Sequence, residues 1–349
     1  MGQGSCGRWA AWPAGTIAAA VPVAAAAHVK RFCSIADVTL PPIALTRVLT
    51  PTFAIVAVVF VALVFGGFVL DRAVALRWPG LALSGRRHAA LEERLVRLAV
   101  GAYFLLLWDK SAVVLWRTQG RAVLTPELLA DLGWVTAVQL AVAVLVGWRG
   151  TCVLAGAGIM VLYGYGIARF GVFHMTDYVF FPGIAAYLAL TSVGTERALR
   201  WRVPLLSGGL AFGLMWTAVE KFVYPEWTLA VVATHPELAF GFDWRFVTVV
   251  AGFVEFTLAF YLMTGRGLVR FGAAAYALIF IAAVPEFGHL DTVGHLPIVA
   301  ILAVVCLRGA SPLPRVLGES GARAIASVYV VALTGFLAMY YGLHWAEFG

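Results

Sequence analysis

The apolar positions of this chain gather into ten runs, near residues 53–70, 97–116, 130–148, 151–169, 178–194, 204–223, 245–264, 271–287, 295–309 and 323–344. Several approach the roughly 20 residues that a helix needs to cross about 30 Å of hydrocarbon. No train of alternating ten-residue strands, the mark of a membrane barrel, competes with them. The pattern predicts an all-α fold, a polytopic transmembrane helical bundle of about ten spans.

Composition agrees with that reading. Hydrophobic residues make up 62% of the chain and charged ones 12%, with a mean hydropathy of +0.90, outside the range of an ordinary soluble domain. The net charge of +7 is spread as short groups between the runs. It forms no basic face interleaved with aromatics, so the expected partner is the lipid bilayer and not nucleic acid. Cys6, Cys33, Cys152 and Cys306 show no CxxC or CxxCH spacing, which gives no sign of a thiol relay or of haem attachment.

The charges also have sides. Arginines follow the first, third, fifth, seventh and ninth runs: Arg72, Arg77, Arg86, Arg87 and Arg94; Arg149; Arg197, Arg200 and Arg202; Arg266 and Arg270; Arg308 and Arg315. The other connections are acidic or mixed. The positive-inside rule makes the arginine side cytoplasmic and both termini extracytoplasmic, in a cell membrane of the bacterial inner-membrane type. Residues 1–27 resemble a signal peptide in outline, with Arg8, an alanine-rich run and AAAA before His28, although Pro13 and Pro22 interrupt it.

The runs repeat in sets of four. YFLLLWDKSAVVLW in the second is answered by LAFGLMWTAVEKFVYPEW in the sixth, each with an acid–lysine pair, Asp109-Lys110 and Glu220-Lys221. WVTAVQLAVAVLVGWRG in the third is answered by VTVVAGFVEFTLAFYLMTGRG in the seventh, which sets Gln139 opposite Glu255. FHMTDYVFFPGI corresponds to GHLDTVGHLPIV. An even number of spans per unit makes the two units parallel repeats. The expected organisation is an N-terminal segment (1–50), a first helix with a basic loop (51–94), four-helix units at 95–202 and 203–310, and a C-terminal helix (311–349).

An acid and a lysine closing the first helix, a glutamate inside the second and a polar-then-proline start to the fourth resemble the DoxX-like membrane proteins, and the chain looks like two such units fused. The resemblance implies an integral membrane subunit of a redox or respiratory system, since the family includes a subunit type associated with thiosulfate:quinone oxidoreductase. Gln139 departs from the glutamate pattern.

The candidate site residues are the ionisable groups within or beside the runs. Glu255 lies deep in the seventh run, where an isolated charge is costly. A lysine such as Lys221 within several ångströms would allow the two to be charged together; a protonated carboxyl bonded to a neighbouring helix is the alternative. Lys110 and Lys221 either anchor an anion or snorkel to the headgroups. Neighbours at i and i+1 point about 100° apart, so Asp109 and Glu220 need other partners than the lysines that follow them. His289, Asp291 and His295, with Glu286 before them and His174 and Asp177 from the first unit, would form a proton relay or a polar pocket. His289, Asp291 and His295 together are also a candidate metal set, to which His174 and Asp177 are added if the two outer faces meet, although HxDxxxH matches no strong metal signature. Asp291 or Thr292 capping the ninth helix is the plainer alternative. The apolar connection from Tyr224 to Trp244 predicts a short interfacial or re-entrant helix rimmed by Trp227 and Trp244.

Two functions follow as expectations. The first is an outer-facing polar pocket for a quinone headgroup, a small reduced substrate or a partner. Glu255 would then accept a proton and the electrons would come from a partner subunit, because no haem or flavin motif is visible. The second is a non-enzymatic carrier or assembly factor for a small solute.

Overall fold

The computed structural model describes residues 37–82, 88–118, 122–126, 128–130, 133–234, 236–239, 241–287, 289–309 and 321–349. The signal-peptide expectation for residues 1–27 lies outside them. Ten helices correspond one by one to the ten apolar runs: α1 (Pro51–Arg77), α2 (Ala89–Thr118), α3 (Trp134–Leu145), α4 (Cys152–Met175), α5 (Phe180–Val193), α6 (Glu196–Val223), α7 (Trp244–Thr264), α8 (Val269–Phe287), α9 (His289–Arg308) and α10 (Ala322–Phe348). Among the described residues, five stretches are long and apolar enough to cross a membrane: α1, Arg149–Tyr178 around α4, α6, α7 and α10.

Local chemistry explains most of the ends. Thr50 Oγ1 accepts the Phe53 N–H at 3.2 Å, with Pro51 at the first helical position of α1. Thr195 accepts the Ala198 N–H in α6, and Asp243 accepts the Arg245 and Phe246 N–H groups in α7. Gly194 closes α5 in the left-handed region, φ +70°, which glycine adopts at least cost. The chain between α8 and α9 departs from expectation. The ninth helix begins at His289, so Asp291 and Thr292 lie inside its first turn and do not cap it, and Pro297 is also internal.

The helices close into a ring. α2 packs on α3, α4 on α5, α5 on α6, α6 on α7, and α8 on α9; α9 returns to pack on α2. α1 and α10 lie together against α7, and α10 also touches α4 and α6. α1 is apolar nearly all round and leaves Ile55, Val58, Leu63 and Leu70 exposed, which suits a lipid-facing helix.

Small residues let one of these contacts, α5 on α6, become intimate. A Cβ at Gly183 would meet the Leu205 carbonyl at 2.9 Å, one at Gly209 the Val179 carbonyl at 3.0 Å, and one at Gly213 the Asp177 carbonyl at 3.1 Å. Gly209 and Gly213, four residues apart, therefore form a small-residue seam that brings the backbones of α5 and α6 together. A short hairpin, Ala122–Val123 with Leu129–Ala130, packs beside α2 with all but Leu129 buried. On the opposite half, residues 40–43 are tied over the ends of α6 and α10: Ile43 N–H bonds the Val223 carbonyl, Tyr224 and Tyr341 donate to the Leu40 and Ile43 carbonyls, and His344 bonds Leu40.

Candidate functional site

The site begins with a close contact between α6 and α7. A Cβ at Gly252 would lie 2.5 Å from the ring of Phe222, so glycine is what allows that ring to pack closely on α7. One residue before Phe222 is Lys221, and one turn after Gly252 is Glu255. The approach puts Lys221 Nζ 2.7 Å from Glu255 Oε2, with both side chains about 1% exposed. An interior ion pair is tolerated only when attraction and hydrogen bonding offset the loss of water.

This pair is incompletely satisfied. Glu255 Oε1 has no hydrogen-bond partner among the described residues. Lys221 offers three N–H donors and makes one bond. Tyr276 of α8, fully buried, also has an unpartnered hydroxyl and lies within electrostatic reach of Glu255. Buried polar atoms in native proteins are normally bonded to protein, water or ligand. The open positions among the described residues are two ammonium hydrogens, one carboxylate oxygen and one phenol, which together offer both donors and acceptors.

Glu220 points elsewhere than its neighbour, as the helical geometry requires. Its Oε1 accepts from Tyr340 of α10 at 3.3 Å, and Tyr340 stacks on Trp216, ring centroids 4.5 Å apart. Asp177, buried in the turn before α5, lies within electrostatic reach of Tyr340 and Tyr163. His174 stacks on Tyr178, and His295 is buried against the ring of Phe280, which in turn packs on Tyr276. The side chains of Glu286, His289 and Asp291 lie outside the described residues. Among the described residues no group of three His, Cys, Asp or Glu side chains is placed to hold a metal.

The first unit is built differently. Asp109 and Lys110 are exposed, and Lys110 takes no part in the Lys221–Glu255 pair. Gln139, the residue aligned with Glu255 in the sequence comparison of the runs, is fully buried and donates from Nε2 to the Val123 carbonyl at 2.6 Å, pinning the hairpin. Beside the hairpin is a cavity of about 20 Å³ lined mostly by apolar side chains, among them Phe104, Ile159 and Phe181. The connection from Tyr224 to Trp244 does contain a short helix, Pro225–Thr234. Trp227, however, does not rim it: the ring is buried and stacks face to face on Tyr224 at 4.1 Å.

Several charged contacts, some of them buried, have no signal in the sequence pattern. Asp71 of α1 accepts backbone N–H groups from Arg266, Gly267 at 2.6 Å and Leu268 at 2.6 Å, closing the start of α8. Glu347 of α10 accepts the Phe173 N–H at 2.9 Å, where Gly171, φ +86°, bends α4. At the arginine-bearing end, Glu92 and Glu93 bind Arg308 and Arg202. Only a partner distant in sequence reveals each of these.

No family model matches the chain, and no curated protein or solved structure matches it.

Proposed function

We propose that the protein is a DoxX-like integral membrane subunit of a redox system, and that Lys221, Glu255 and Tyr276 bind the headgroup of a quinone or a small reduced substrate. The observation that carries this reading is the unfinished ion pair. A lysine and a glutamate that only neutralised each other would have their remaining donors and acceptors bonded to the protein; here they are left open beside a buried phenol. An ionisable pair inside apolar helices marks a ligand or proton path by default. The open donors of Lys221 suit a carbonyl oxygen. Glu255 Oε1 or the Tyr276 hydroxyl exchanges a proton with it. Electrons come from a partner subunit.

In this reading all ten helices span a bacterial inner membrane, with the arginine connections in the cytoplasm and both termini outside. The two four-helix units are a duplication. The ring of contacts supports that, since α2–α3 corresponds to α6–α7, α4–α5 to α8–α9, and α5–α6 to α9–α2. The exchange of Glu255 for Gln139 leaves one working centre per chain.

The test is quinone reduction in membranes that contain the protein, with Glu255→Gln and Lys221→Met in parallel. Turnover dependent on the wild-type chain and lost in both variants supports the proposal. Solute uptake into proteoliposomes that needs Lys221 and Glu255 but involves no redox change replaces it with the carrier reading, which the same buried pair would serve as part of a path.

A further inference from the structure

The arginine-bearing end holds a second polar cluster, independent of the Lys221–Glu255 centre. Glu92, fully buried, receives Arg308 Nε on both oxygens at 3.1 and 3.0 Å. Glu93 receives Arg202 Nη1 at 3.0 Å and Arg97 Nη1 at 3.4 Å, with Arg149 Nε 3.8 Å away. Each carboxylate is thus engaged on both oxygens. Four guanidiniums face two carboxylates, so the cluster carries an excess of positive charge.

Every group left over is able to donate. Arg202 Nε, the Tyr187 hydroxyl and the Thr191 hydroxyl are buried and have no hydrogen-bond partner among the described residues. They belong together. Tyr187 and Thr191 are four residues apart on α5 and share one face. The Arg202 guanidinium carbon lies 5.3 Å from the centre of the Tyr187 ring, and Arg149 Nε donates to the Thr191 carbonyl at 3.1 Å. Arg149 itself is half-exposed, and its terminal nitrogens make no bond to the described residues. The group therefore reaches from the interior to the surface.

Unfilled donors with surplus positive charge need an acceptor-rich anion. We propose that Arg149, Arg202, Tyr187 and Thr191 bind a phosphate group, supplied either by an anionic lipid headgroup or by free phosphate. Basic pockets between helices at the cytoplasmic side suit lipid phosphates, which reach that depth from the leaflet.

The test uses the full-length protein purified in detergent. Native mass spectrometry compares retention of phosphatidylglycerol with that of phosphatidylcholine, and thermal unfolding compares inorganic phosphate with chloride at equal ionic strength. At least fivefold preference for phosphatidylglycerol identifies the lipid headgroup. A saturable rise in melting temperature with phosphate, without lipid preference, identifies the free anion. Either effect should fall at least fivefold in Arg149→Gln, Tyr187→Phe and Thr191→Val; the last two remove or replace a single oxygen and keep the packing. Equal retention of the two lipids together with no advantage of phosphate over chloride overturns the proposal. So does a preference that survives all three substitutions.

Discussion

Lys221 Nζ and Glu255 Oε2 lie 2.7 Å apart with about 1% of each side chain exposed. Removing a single partner from such a pair strands a charge away from water, whereas removing both strands none. Lys221→Met or Glu255→Leu alone should destabilise the protein by about 3–5 kcal/mol, and the double substitution by clearly less than the sum. Unfolding of the four proteins in detergent measures the coupling. Additive losses would mean that the two groups do not act as a pair.

The pair depends on how closely α6 and α7 approach. Gly252→Val places new carbon atoms against the Phe222 ring, where even a Cβ would lie at 2.5 Å. Overpacking of this kind costs about 1–3 kcal/mol. The expected outcome is a lower melting temperature and weaker ligand binding, while Gly335→Val, at a glycine with open space around it, changes neither.

Glu347 holds the bend of α4 from the far end of the chain. Its Oε2 takes the Phe173 N–H at 2.9 Å. Glu347 is exposed, so water can take the place of the lost acceptor in Glu347→Ala, and the cost should be about 0.5–1.5 kcal/mol, the net worth of an ordinary hydrogen bond. Hydrogen exchange at the Phe173 amide should accelerate at least tenfold, with the amides of α7 unchanged.

Asp71 plays a similar part for α8, gathering the N–H groups of Gly267 and Leu268 at 2.6 Å each. Asp71→Ala should cost about 1–2 kcal/mol, the usual range for losing a helix cap. Comparison of unfolding midpoints in denaturant at constant slope checks it.

The ten helices are legible in the sequence because apolar runs broken by arginines, glycines and prolines leave few other folds for a chain of this hydropathy. Lys221 and Glu255 are legible for a related reason: an ionisable residue among so many apolar ones has to meet another. Lys110 stands at the same place in the pattern yet is exposed. Its unit has Gln139, which bonds to a hairpin carbonyl, and repeat spacing says nothing of that hairpin. Glu92, Asp71 and Glu347 pair with groups far away in the chain and leave no periodic trace. Tyr276 is hidden among aromatics whose composition looks like ordinary core, and only its unpartnered hydroxyl sets it apart.

The most direct measurement is equilibrium binding of a short-chain, water-soluble quinone to purified wild-type protein and to Glu255→Gln, Lys221→Met and Tyr276→Phe, each confirmed as folded. The account predicts saturable binding by the wild type and at least tenfold weaker binding by each variant. Binding that is equally tight in all four proteins would place the ligand elsewhere and contradict it.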